Sequence, residues 1–467
     1  MNKIKVGILS FSDGRERVHK SLEPYIKECE AQIVQKLQSV DEIEVITGSE
    51  IIWNNKLAKR IGLEMTRKNI DACILNVSVF AFPNFSAIAA GLQNVPLVAI
   101  APINGMMPGL GGLQAATNMI HQEGGHCEKI WGNIEDENVF GRVLAFLRAS
   151  KAATELKGQV FGLFGGRSIG MGSGAINPDL WRSLFGVDVD HVDQLEILRR
   201  AEAMDDDQAS VGVSWLEKNV GIIHYDDDKL TKDTLKMQVK CYCALKDIVL
   251  ERGYSFVGVK CHYELSEYYY TQCLSAALMN DPYDWDGKKE PIVFSCEADG
   301  DAGLTMQIMK LISGKPVLFM DFRHYLEGED VFAFCNCGAC ATWYAGRSDK
   351  PEENLKNVEL YPLIPKYAGK GCHVQFISKA GEMTFARLTR SANDYKMQAF
   401  LGDAKSLPKE KLEETCPVWP HTFASVKSNP NELVQKYESN HIHAVEGNYM
   451  EELKMFCKLK GITFEVL

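Results

Sequence analysis

The chain has 467 residues, 46% of them hydrophobic and 24% charged, with a net charge of −11. That length allows two or three domains with sizeable cores, and an acidic balance without a long basic run argues against a nucleic-acid partner. Fourteen cysteines follow an amino terminus that reads as a first β-strand and not as a secretory signal, so free thiols in a reducing cytoplasm are expected.

Residues 1–155 alternate strands and helices. A strand over 4–11 leads into a turn with Asp13, Gly14 and Arg15, then a helix to residue 37. A strand over 44–47, a helix over 53–68 and apolar strands over 71–79 and 96–101 complete a parallel, doubly wound pattern. Residues 72–122 contain no Asp, Glu, Lys or Arg, but Asn, Gln, Pro and Gly interrupt the run far short of the about 20 apolar residues of a membrane span. The turns after these strands carry Arg15, Arg17, Phe80 and Phe82, where a polar ligand would sit. An arginine there is more often a solvated surface residue.

A helix over 140–155 bridges to a second α/β domain, residues 156–312. Its strand over 159–164 precedes a glycine-rich loop, 165–174. Gly170, Gly172 and Gly174 alternate, so the dinucleotide fingerprint is not met. The loop suits nucleotide binding less well than a small polar substrate, with Arg167 and Met171 turned into the cleft. Helices are expected over 190–203 and 228–252, with Asp205 to Asp207 as a solvated turn. A strand over 255–259 delivers Lys260 and His262, and a helix follows over 267–279.

Next comes the stretch that carries chemistry. A strand over 291–296 delivers Glu297, Asp299 and Asp301, a helix runs over 303–313, and a strand over 317–320 delivers Asp321. Two parallel strands joined by a helix would place Glu297 and Asp321 at the carboxyl edge of one sheet, where open α/β sheets hold ligands. Two carboxylates together repel unless they share a proton or a cation, and an oxygen-rich site suits Mn²⁺ or Mg²⁺. The plainer reading is a helix-capping acidic turn and a strand-end aspartate. Residues 313–467 read as a β-rich domain, with short runs over 332–334, 358–360, 372–377 and 381–389, then a helix over 450–460 and a strand over 463–467. The cysteines at 335, 337 and 340 lack a second C-x-x-C for a zinc knot.

At Glu297 and Asp321 the chain resembles L-fucose isomerase and, more distantly, L-arabinose isomerase, although it is shorter than typical fucose isomerases. The resemblance rests on the 165–174 loop with Glu196 to Arg200 downstream. It rests also on Trp285-Asp-Gly, Glu290-Pro, Glu297 and Asp-Phe-Arg323 in order, and on Ser439-Asn-His441 shortly before Gly447. It implies a two-domain α/β fold with a β-rich carboxyl-terminal domain, and a metal held by Glu297, Asp321 and His441, with His443 a competing surface group. It implies sugar contacts near Arg15, Phe80, Phe82, Arg167, Met171, Trp419 and His421, with Lys260 or His262 in the place of a family glutamine. Asn336 stands where arabinose isomerases carry an extra histidine. The implied activity is aldose–ketose isomerisation through an enediol, with Mn²⁺ or another divalent metal such as Mg²⁺ or Co²⁺, in a cytoplasmic hexamer. L-Fucose or D-arabinose is the implied substrate. Arg15, Arg167, Lys260 and His262 would also suit an anionic sugar such as sulfoquinovose. The competing classes are an NAD-linked oxidoreductase and a non-catalytic sugar-binding protein.

Overall fold

A computed structural model describes residues 3–392 and 394–467. The chain divides into two compact units, one comprising residues up to Glu155 with Lys454–Leu459, the other Leu156–Leu453 with Lys460–Leu467.

The first unit is a five-stranded parallel sheet. Its order is Ile43–Thr47, Ile4–Ser10, Ala72–Asn76, Leu97–Ala101, Glu128–Trp131. Strands buried on both faces need two cores, and the alternation of side chains supplies them. Leu9, Leu75 and Ala99 face one core with Ile61 and Leu113, while Ile8, Ile74 and Val98 face the other with Ile33 and Phe146. The charge-free stretch thus supplies two fully buried strands, Ala72–Asn76 and Leu97–Ala101, although its loops expose Phe80, Ile103 and Met106, and among the described residues no helix is long and apolar enough to cross a membrane.

The second unit holds a four-stranded parallel sheet, ordered Phe294–Cys296, Phe256–Val259, Val160–Phe164, Asp188–Val192. It also holds a seven-stranded mixed sheet: Gly381–Ser391, His441–Glu446, Leu318–Leu326, Val331–Cys335, His421–Val426, Asp394–Lys405, Thr463–Val466. Gly381–Ser391 pairs back onto Asp394–Lys405, closing six of these strands into a ring. Closure leaves those strands without a free edge. The chain is thus α/β with two parallel sheets and a carboxyl-terminal β-rich sheet, as its patterning indicates.

Four local expectations change. Asp188–Val192 is a strand, and the helix begins only at Leu195; the alternating, β-branched DVDHV favours an extended edge. Asp205–Asp207 is not a solvated turn but opens the helix Asp206–Asn219, where carboxylates favour the helix dipole and Asp206 pairs with Lys236 and Lys240. The helix expected over 267–279 is two, Glu264–Tyr268 and Cys273–Asn280. Above all, the strand carrying Asp321 does not lie beside the strand before Glu297. Leu318–Leu326 pairs with His441–Glu446 in the mixed sheet, so the two carboxylates come from different sheets.

Candidate functional site

The site is built on the turn between Phe294–Cys296 and the helix Gly300–Ser313. Glu297 and Ala298 are both left-handed, with φ of 58° and 54°, which non-glycine residues adopt at about 1–3 kcal/mol each. The chain can then turn sharply enough for Asp299 to cap the helix, its Oδ1 accepting from the Ala302 amide at 2.9 Å. Gly300 packs so closely that a Cβ there would lie 2.2 Å from the Ile176 side chain.

Asp299 is fully buried and fully partnered. Its Oδ2 accepts from His441 Nδ1 at 2.7 Å, from an Arg387 Nη at 3.0 Å and from Ser173 Oγ at 3.0 Å. Burial alone would raise this carboxyl. The charge of Arg387 and the His441 hydrogen bond overcome that and hold it well below the usual range.

With Nδ1 engaged, His441 turns Nε2 outward, 3.4 Å from Asp321 Oδ1 and 3.7 Å from Glu297 Oε2. Asp321 sits opposite His441 in the strand register and accepts from Arg323 at 3.1 Å. Burial raises both carboxyls, Glu297 to about 6. A second histidine, His262, places Nε2 3.7 Å from the other Glu297 oxygen and hydrogen-bonds Tyr367 at 3.2 Å. Two carboxylates thus face one imidazole nitrogen, and a carboxylate fixes that ring from behind. Such a donor set fits a divalent cation, with Asp299 orienting the ligand histidine.

Two models of one family match the chain: L-fucose isomerase, first N-terminal domain, over residues 3–158, and L-fucose isomerase, C-terminal domain, over residues 334–467. The chain belongs to the L-fucose isomerase family. Within that family it is 24% identical to the L-fucose isomerase of Bacteroides thetaiotaomicron over 318 residues, 55% of this chain and 54% of that protein. It is 25% identical to that of Streptococcus pneumoniae serotype 4 over 351 residues, 62% and 60% of the two chains. With that of Citrobacter koseri it shares 24% identity over 375 residues, 70% and 62%. The chain thus spans between half and two thirds of the length of these curated relatives. The C-terminal model includes His441, whereas Glu297 and Asp321 lie between the two matched stretches.

Other residues singled out by the family resemblance are placed unevenly. Trp419 is buried, with the Arg323 guanidinium 4.6 Å above its ring and Lys366 Nζ at 5.3 Å. Its Nε1 has no hydrogen-bond partner among the described residues. Met171 receives a contact from Asn440, next to His441, at 3.8 Å. With Asp301, Arg387 and Tyr437 it lines a cavity of about 800 Å³. Arg167 folds back onto its own loop, bonding the Gly170 and Met171 carbonyls. Lys260 donates to Glu264 at 2.6 Å and is spoken for. Asn336 holds a turn by accepting from Ala339, and His421, dropped to about 4 by burial, bonds Thr415 and the Trp419 carbonyl. Arg15, Phe80 and Phe82 belong to the first unit, where Arg15 forks onto Asp13 and both phenylalanines are partly exposed.

His443 is not a surface group. It is fully buried, and its Nε2 accepts from Arg387 at 3.1 Å, because i and i+2 of a strand share a face. Asp299 and Arg387 escaped the sequence reading as members of the site. A strand-to-helix cap is visible from Asp299-Gly-Asp, but nothing local marks Arg387 as the counter-charge beneath it. A further group, His324, Cys335 and Cys416, brings a nitrogen and two sulfurs within 4.8 Å of one another.

Proposed function

We propose that this chain is a divalent-metal-dependent aldose–ketose isomerase. Glu297, Asp321 and His441 would hold the metal, with Mn²⁺ as the first candidate. The observation that carries the reading is His441 Nε2 directed at both carboxylates while Asp299 holds Nδ1. The bound cation would polarise the sugar carbonyl and stabilise negative charge that develops at the enediol.

The chain's own groups supply the rest. Glu297, raised to about 6 by burial, can take a proton from one of the two sugar carbons and return it to the other near neutral pH. Asp321 acts from the opposite side, and Arg323 limits its freedom to turn away. His262 and Tyr367 form a hydrogen-bonded pair behind Glu297 that would carry its proton once the 3.7 Å gap between His262 and Glu297 closes. The Trp419 Nε1 is buried without a partner among the described residues and would donate to a sugar hydroxyl only where the substrate reaches it.

Three of the four cations that suggested an anionic sugar are engaged elsewhere: Arg15 by Asp13, Arg167 by its own loop, Lys260 by Glu264. A neutral aldose of the L-fucose or D-arabinose type is therefore the better-supported substrate. A hexamer remains part of the proposal, on the family resemblance. The test is an isomerase assay on metal-stripped protein, re-supplied with Mn²⁺, on L-fucose, D-arabinose, L-arabinose and sulfoquinovose. Mn²⁺-dependent ketose formation is expected, fastest with a neutral sugar. No turnover on any sugar by protein that binds the metal would overturn the reading.

A further inference from the structure

His324, Cys335 and Cys416 have no part in the scheme above, yet three separate elements bring them together. His324 lies on Leu318–Leu326 just past a register shift between Phe322 and His324, and such a bulge re-aims a side chain. Cys335 ends the neighbouring strand Val331–Cys335, fully buried. Cys416 comes from the loop ahead of His421–Val426 and is half-buried.

The spacing matches a coordination polyhedron. A tetrahedral ion with metal–sulfur bonds of about 2.3 Å and metal–nitrogen bonds of about 2.0–2.1 Å has edges of roughly 3.6 Å between N and S and roughly 3.8 Å between sulfurs. Cys416 Sγ lies 3.7 Å from His324 Nε2, and the three donor atoms fall within 4.8 Å of one another. Little movement would close them on an ion. The donors are also of a different kind from those of Glu297 and Asp321. One nitrogen and two sulfurs select a borderline-soft ion, where oxygens select a hard one.

We propose that His324, Cys335 and Cys416 form a second metal site, selective for a zinc-class divalent ion, with its fourth position open to water. As the ion binds, sulfur-bound protons pass to solvent and both sulfurs become thiolate ligands. No oxidant is consumed. Position suggests what the ion does. The Trp419 amide bonds the Cys416 carbonyl at 3.0 Å, and Arg323, which grips Asp321, lies on the Trp419 ring. An ion here would pin the Trp419 segment to the strand that carries Asp321. The site stands whether or not the chain is an isomerase.

The test uses the full-length, metal-stripped, reduced protein titrated with Co²⁺, then Zn²⁺. A thiolate-to-cobalt charge-transfer band with tetrahedral visible bands should appear at about one equivalent and vanish when Zn²⁺ displaces Co²⁺. Cys416→Ser and His324→Gln should each weaken Zn²⁺ binding beyond the about 10–100-fold of an outer-shell loss. Glu297→Gln should leave the band intact, which separates this site from the carboxylate one. Cys335 is a core residue, so the two less buried variants carry the test, with circular dichroism confirming their fold. The proposal is overturned if reduced wild-type protein gives no thiolate band. It is equally overturned if the band survives both variants, which would assign it to other thiols of the chain.

Discussion

Glu297 and Asp299 stand two residues apart in one turn, Asp299 fully buried and Glu297 mostly so, and they meet opposite fates. Asp299 is ringed by donors: Arg387, His441, Ser173 and the Ala302 amide. Glu297 faces another carboxylate and has histidines at 3.7 Å on either side, outside hydrogen-bond reach. Burial raises the one to about 6, while partners hold the other ionised. Burial therefore does not by itself decide how strong an acid is. The satisfied carboxylate is scaffold, and the unsatisfied one is where a cation or a moving proton gains most.

That contrast can be broken or sharpened by measurement. The largest expected effect is on turnover: Glu297→Gln should lower it by at least about 10³-fold, with the unfolding midpoint unchanged or raised. A variant as active as the wild type would remove Glu297 from the chemistry. Asp299→Asn should do the reverse, acting first on the fold. It strands Arg387 without its counter-charge and should lose about 3–5 kcal/mol in urea denaturation; a loss under about 1 kcal/mol would mean the network is not scaffold.

Asp301, the next acid along, tests the case in which partners fail to outweigh burial. Burial pushes it up to about 6 from 3.8 against Arg387 and the Tyr395 hydroxyl. The folded state thus holds its proton more tightly than the unfolded chain. Its contribution is complete below pH 3.8, and about 3 kcal/mol is lost as pH rises through about 6. Asp301→Asn cannot ionise, so its stability relative to wild type should improve by about that amount between pH about 3.5 and about 7.5. A flat difference across that window would contradict the shift. The smallest effect belongs to Ser173→Ala, which takes one donor from Asp299 and should cost about 1 kcal/mol.

Much of this was legible in the sequence where signals are local. Four strands of the first sheet could be traced because each is a short, largely apolar run with its own turn, whereas Glu128–Trp131, half of it charged, could not. Glu297 and Asp321 stand out locally, but His441 is singled out only by the family resemblance. Pairing was not legible. Asp321 meets His441 across a strand register spanning 120 residues, and no local pattern states that the strand before Asp321 leaves one sheet for another. The carboxylates therefore converge by a route other than the expected shared sheet edge. His443 could have been placed inside, since a strand that buries His441 buries its i+2 neighbour on the same face. Arg387 could not, because a charged residue in a strand signals solvent unless its partner, Asp299, is already known.

The helix Met450–Lys460 gives the chain an unusual order of completion. Met455 and Leu459 pack against the first unit's core of Ile4, Ile74 and Phe146. A ribosome making about 5–20 residues per second releases that core's early members tens of seconds before the helix that covers them exists. For that interval part of the core stays open to water or to chaperones. Expressed alone, residues 1–155 should accordingly bind a hydrophobic dye, and a synthetic peptide of residues 450–460 should suppress the signal.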